Sequence, residues 1–117
     1  MQRTELVEDL LAELTLDLGS QPGFNQVLLR SKIESAIKAV ERARGYSRLG
    51  YNDESAFWQA DIERFYANIK DIALYDYNII GAEGETYHYE GGTNRTYFDR
   101  RRLFNGVTPI AEIYRNE

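Results

Sequence analysis

Apolar side chains recur along this chain at helical rather than strand spacing. Between residues 52 and 80, Trp58, Ile62, Phe65, Ile69, Ile72, Tyr75 and Ile79 follow one another at steps of four, three, four, three, three and four. That is the seam of one long amphipathic helix. At about 1.5 Å per residue it would run roughly 40 Å, longer than a small core needs, so something must cover its length. Two shorter helices precede it. Over residues 4–16, Leu6, Leu10, Leu11 and Leu14 share a face. Glu5, Glu8, Asp9 and Glu13 take the other side or the first turns, where negative charge suits the helix dipole. The second runs from an Asn25 cap to Arg44, with Leu29, Ile33, Ala36, Ile37 and Val40 on its apolar stripe and Arg42 and Arg44 in its last turn.

Punctuation falls where such helices should end. Gly19, Pro22 and Gly23 stop the first, because proline cannot donate to a continuing helix and glycine permits turn conformations. Gly45 stops the second. Residues 46–51 form a connection whose Tyr46 and Tyr51 pack back onto a helix end, and Asn52 or Asp53 caps the third helix. Connections of this length predict antiparallel packing of neighbouring helices.

The pattern changes at Gly81. Glycines at 81, 84, 91, 92 and 106 interrupt the remainder, and helical periodicity is lost. Residues 86–90 and 95–98 flank Gly91, Gly92, Thr93 and Asn94, as in a β-hairpin or an extended loop with a glycine turn. Leu103 and Phe104 begin a short turn, and Pro109 excludes a long helix there. An isolated hairpin is at best marginally stable, so this arm is expected to lie against the helices or a neighbouring subunit. The fold expected is mainly α, a three-helix core over 1–80 with a long third helix and a C-terminal arm over 81–117, all in one domain.

Composition narrows the function classes. There is no cysteine, which removes disulfides, thiolate metal sites and cysteine nucleophiles. The opening residues alternate charge with leucine, unlike a signal peptide, and no run of apolar residues is long enough to span a membrane. Nineteen acidic against fourteen basic residues give a net charge of -5, which argues against general affinity for nucleic acid. Nine tyrosines suit interfaces, where a ring is buried and its hydroxyl stays wet.

Candidate chemistry is sparse. The single histidine, His88, stands among Glu83, Glu85 and Glu90 without the partners a metal site needs. Gly81, Glu83, Gly84 and Glu85 superficially suggest a phosphate loop, but they follow a helix, lack the subsequent Lys-Ser or Lys-Thr, and carry acids that repel phosphate; the plainer reading is a helix stop and turn. No spacing of carboxylates singles out an acid–base pair, so no enzyme, cofactor or metal is expected. Arg100, Arg101 and Arg102 form the one basic cluster, beside Leu103 and Phe104. They could grip a nucleic-acid backbone, pair with an acidic face such as residues 5–17 on the same or a neighbouring subunit, or simply be solvated.

With the whole chain read, the order of its parts resembles the head-tail connector (adaptor) proteins of tailed bacteriophages and prophages. The residues that carry the likeness are Ile72-Ala73-Leu74-Tyr75-Asp76-Tyr77, then Ile80-Gly81-Ala82-Glu83-Gly84-Glu85. Further on they are Glu90-Gly91-Gly92, Arg95-Thr96-Tyr97 and Val107-Thr108-Pro109-Ile110. Many members carry a serine-rich segment after the acidic loop, where this chain has Tyr87, His88 and Tyr89. The resemblance implies a structural protein of the virion's head-tail junction, assembled in the host bacterial cytoplasm. It would dock as a ring beneath the portal, with the tail or a second adaptor below and DNA passing through the channel without sequence-specific binding. No catalysis, cofactor or membrane is implied. The interface expected on this reading comprises Gly81, Glu83, Gly84, Glu85, Tyr87, Tyr89, Arg95, Tyr97, Arg100, Arg101, Arg102 and Phe104. Two rivals stand beside it: a DNA-packaging factor that binds nucleic acid through Arg100, Arg101 and Arg102, and a small helical regulator that binds one protein partner.

Overall fold

The computed structural model describes residues 1–83 and 100–110, with the backbone alone for 80–83. Within them the protein is mainly helical: α1 (Arg3–Leu18), α2 (Gln26–Arg44), α3 (Ala56–Glu63) and α4 (Tyr66–Glu83), with short 3-10 turns at Ser47–Leu49 and Arg100–Phe104. No strand occurs among the described residues. The hairpin expected at 86–90 and 95–98 lies outside them.

The first two helices start and stop close to where their sequences direct. The backbone N–H of Gln2 donates to Glu5 Oε1 at 2.9 Å, tying off the start of α1. Asn25 Oδ1 accepts from the Leu28 N–H at 3.0 Å, the expected cap of α2. Gly45, at φ 78°, closes α2 in the left-handed conformation that favours glycine.

The expected single third helix is instead two. α3 ends at Glu63 and α4 begins at Tyr66, with Arg64 and Phe65 in a tight turn between them. The Phe65 N–H donates to the Ile62 carbonyl at 3.0 Å, a tightened last turn. No glycine or proline marks this break; tertiary contacts make it. The buried Phe65 ring takes the guanidinium of Arg44 at 5.1 Å and that of Arg64 at 5.2 Å from its centroid. The start of the segment also differs. Ser55, not Asn52 or Asp53, occupies the N-cap position of α3, while Asn52 builds the turn before it by accepting from the Glu54 N–H at 2.8 Å. At the other end α4 runs through Gly81 to Glu83, so the helix stop read at Gly81 falls later.

One core joins these pieces. Leu6, Leu10 and Leu14 of α1, Leu29, Ile33, Ile37 and Val40 of α2, Trp58 and Ile62 of α3, and Ile69 and Ile72 of α4 are fully buried. α2 packs on both α1 and α4, which also touch each other. Beyond the break the buried stripe of α4 is Ile69, Ile72, Ala73 and Tyr77, whereas Ile79 is exposed. The inward face of α4 thus runs through Ile69, Ala73 and Tyr77 at steps of four, and Tyr77, absent from the expected seam, is buried where Tyr75 and Ile79 are not.

Candidate interaction surfaces

The end of α4 is the first surface. Gly81 and Glu83 lie in its last turn, from which residues 84–99 depart. The chain is described again at Arg100, whose Nε and Nη2 donate to Asp76 Oδ1 and Oδ2 at 2.9 and 2.8 Å. Its guanidinium also sits 5.5 Å from the centroid of the half-buried Phe104 ring. Asn68 Nδ2 donates to the carbonyls of Leu103 at 2.8 Å and Asn105 at 3.1 Å. This fixes the 3-10 turn against α4. Asp76 and Glu83 are two turns apart on one helix, roughly 10 Å along its axis, so the residues on either side of 84–99 both lie at α4.

Of the interface residues expected from sequence, Arg100 and Phe104 are therefore brought together on α4, and Arg102 is exposed. Arg101 is exposed and engaged in an interaction of its own. Gly84, Glu85, Tyr87, Tyr89, Arg95 and Tyr97 lie outside the described residues. Arg100 pairs with Asp76 and not with the acidic face of α1 in the same chain. That face has other partners. Arg30 Nη1 meets Glu8 Oε2 at 2.6 Å, Lys70 Nζ meets Glu13 Oε1 at 2.8 Å, and the Tyr66 hydroxyl donates to Glu13 Oε2 at 2.9 Å. Arg30 holds Glu8 below the usual carboxylate value, and Lys70 with Tyr66 does the same to Glu13.

A buried polar network at the α2–α3 junction forms the second feature. Arg44 Nε and Nη2 donate to Asp61 Oδ2 and Oδ1, each at 2.9 Å, with both residues under a tenth exposed. The Tyr46 hydroxyl donates to Asp61 Oδ2 at 2.6 Å and Arg64 Nη1 to Asp61 Oδ1 at 2.9 Å. Arg44 Nη1 reaches the Thr108 carbonyl at 2.9 Å, and the Ile110 N–H donates to the Arg44 carbonyl at 2.9 Å. Burial disfavours the charged Arg44 guanidinium, but the hydrogen bonds and charge of Asp61 more than reverse this, so its pKa is raised. Burial, then Asp61, pushes the Tyr46 phenol up. The network is saturated with internal partners and holds residues 108–110 to the bundle.

The third is a cleft of about 710 Å³ between the start of α1, the end of α2 and the connection after it. Arg3, Lys38, Arg42 and Arg48 line it, against Glu41 and Asp53. Arg3 bridges Glu41 and Asp53, lies 5.4 Å from the Trp58 ring centroid, and shares Glu41 with the Trp58 Nε1–H, which donates to it at 2.9 Å. Sequence reading missed both the network and the cleft. Arg44 does continue the buried α2 stripe four residues after Val40, and Asp61 sits between Trp58 and Ile62 on the seam. A charge on each of two apolar stripes was the available signal.

Among the described residues no group of three His, Cys, Asp or Glu side chains could hold a metal ion, and no described helix is long and apolar enough to cross a membrane. Compared with protein-family models, curated proteins and solved structures, the chain matches none.

Proposed function

We propose that this chain is a structural head-tail connector of a tailed bacteriophage or prophage, assembling as a ring beneath the portal and joining the DNA-filled head to the tail. The sequence resemblance at residues 72–77 and 80–85 motivates the reading. The observation that carries it is the placement of the two residues that flank residues 84–99: α4 closes at Glu83, and Arg100 is paired with Asp76 of the same helix. A segment rooted at both ends on a helix, with a packed core behind it, is suited to reach a neighbouring subunit without costing the bundle its stability. In this reading α3 and α4 together fill the place of the third helix of a three-part core, and residues 86–90 and 95–98 are the arms of a hairpin. Ring assembly needs two different patches that meet head to tail.

The test removes residues 85–98, bridges the gap with a short glycine-serine link, and leaves the docked residues 100–110 in place. Portal-dependent rings, followed by electron microscopy and light scattering, are expected to disappear while the helical circular dichroism stays. Rings that form undiminished would overturn the reading. The nucleic-acid rival finds less support, because Asp76 already neutralises Arg100. Salt-sensitive DNA binding that weakens when Arg101 and Arg102 become alanine would restore it.

A further inference from the structure

We propose that the basic cleft at the end of α2 is the receptor for the acidic segment of residues 83–90 of a second copy of this chain. The inference rests on the connector reading for its ring geometry, and on charge and distance for its content. Arg3 pairs with Glu41 and Asp53 in the cleft wall, and Lys38 and Arg42 add two further cations to its lining on a chain of net charge -5. Its floor is already set. The pairs of Arg3 with Glu41 and Asp53, the Trp58 indole and the buried Tyr46 ring hold the walls before anything binds, which lowers the ordering cost of association. Lys38 and Arg42 stand exposed at the rim.

The occupant follows from complementarity. Residues 83–90 contain Glu83, Glu85 and Glu90, no lysine or arginine, and Tyr87 and Tyr89 to lie against the Tyr51 side of the cleft. The same copy cannot easily supply them. The backbone N–H of Asn25 donates to the Tyr77 hydroxyl at 2.9 Å, which places the departing end of α4 beside the start of α2. The cleft lies at the other end of α2. Nineteen residues of helix separate the two by roughly 27 Å, and an excursion of 16 residues that must return to Asp76 has about eight to go out, or roughly 28 Å when fully extended. That leaves no slack. A donor at one end and an acceptor at the other is the head-to-tail arrangement that closes rings. A nucleic-acid backbone fits less well, since a run of phosphates would pass over Glu41 and Asp53.

The test uses the full chain and a labelled peptide of residues 82–92, followed by fluorescence anisotropy. The peptide is expected to bind at low salt and to weaken about tenfold or more for Lys38→Glu/Arg42→Glu. A peptide in which Glu83, Glu85 and Glu90 are lysine is expected to bind that variant and not the wild type. Absence of binding, or binding indifferent to both reversals, overturns the proposal. So does a duplex DNA probe that binds the wild type and loses binding in the variant while the peptide does not. Portal-dependent rings formed equally by wild type and Lys38→Glu/Arg42→Glu would overturn this proposal and leave the connector reading standing. Failure of the wild type to associate with portal would sink that reading while the peptide result decides the cleft.

Discussion

Arg44 and Asp61 meet side-on, two parallel N–H to oxygen bonds of 2.9 Å joining the last turn of α2 to the last turn of α3. Breaking one partner of a buried pair strands the other charge, at a cost of about 3–5 kcal/mol. Asp61→Ala is therefore expected to lower the stability found by urea unfolding by that amount. Arg44→Leu/Asp61→Leu is expected to recover much of it. A double variant no more stable than the single one would show that the hydrogen bonds to Tyr46, Arg64 and Thr108 matter more than the pair.

Tyr46 gives the network a signature in alkali. Its phenol is pushed up, first by burial and then by Asp61, so the folded protein holds that proton where the unfolded chain releases it. Stability consequently falls as pH rises above the ordinary tyrosine value of about 10, by at most about 1.4 kcal/mol per pH unit. Tyr46→Phe, weaker at neutral pH by the lost hydrogen bond, should show a flatter decline in urea midpoint across that range.

Acid acts on the other face. Glu8 and Glu13 are held low by Arg30 and by Lys70 with Tyr66. A depressed carboxylate lends stability that is present above its unfolded value and is lost as pH falls through its folded value. The melting temperature should drop as pH falls below 4.5. Glu13→Gln should lie below the wild type near neutrality and converge with it in acid, as measured by thermal unfolding at a series of pH values. Both carboxylates are solvent-exposed, so the effect is small and shrinks with salt.

Gly45 and Gly50 take φ of 78° and 86° around the tyrosine-rich connection. Alanine at either position is expected to cost about 1 kcal/mol in chemical unfolding, from the left-handed conformation alone. A Cβ at Gly50 meets nothing within 4 Å, whereas one at Gly45 comes within 2.6 Å of the Arg48 guanidinium, which must shift to admit it. A loss several times larger at Gly45 would mean that Arg48 is held in place.

The helices that local rules govern were legible. Asn25 and Gly45 bracket α2 as their chemistry dictates, and Leu6, Leu10, Leu11 and Leu14 of α1 face inward as their spacing requires. The break at Arg64 and Phe65 was not, because the three-and-four spacing of apolar residues continues across it. Periodicity records which residues are buried, not whether the backbone between them remains one helix. The decisive contacts, two guanidiniums on Phe65, come in part from Arg44, twenty-one positions earlier. Arg100 was legible as a charge in need of a carboxylate, but the choice of Asp76 over the acidic face of α1 depends on where residues 100–104 dock. The cleft joins residues from the start of α1 to those after α2, and only the fold brings them together.

The strap of residues 107–110 has a kinetic meaning as well as a static one. Thr108 lies 64 positions from the Arg44 side chain it receives, whereas α1 and α2 are joined by a short turn and can pair early. Closing so long a loop before its contacts form is entropically slow, so the helical hairpin should assemble first and the strap should dock last. The same order in reverse makes it the first part to open. Amide hydrogens at Val107 and Ile110 should then exchange with solvent well before those of α2, so that the Arg44–Asp61 pair is periodically uncovered on one side while the helices around it stay folded.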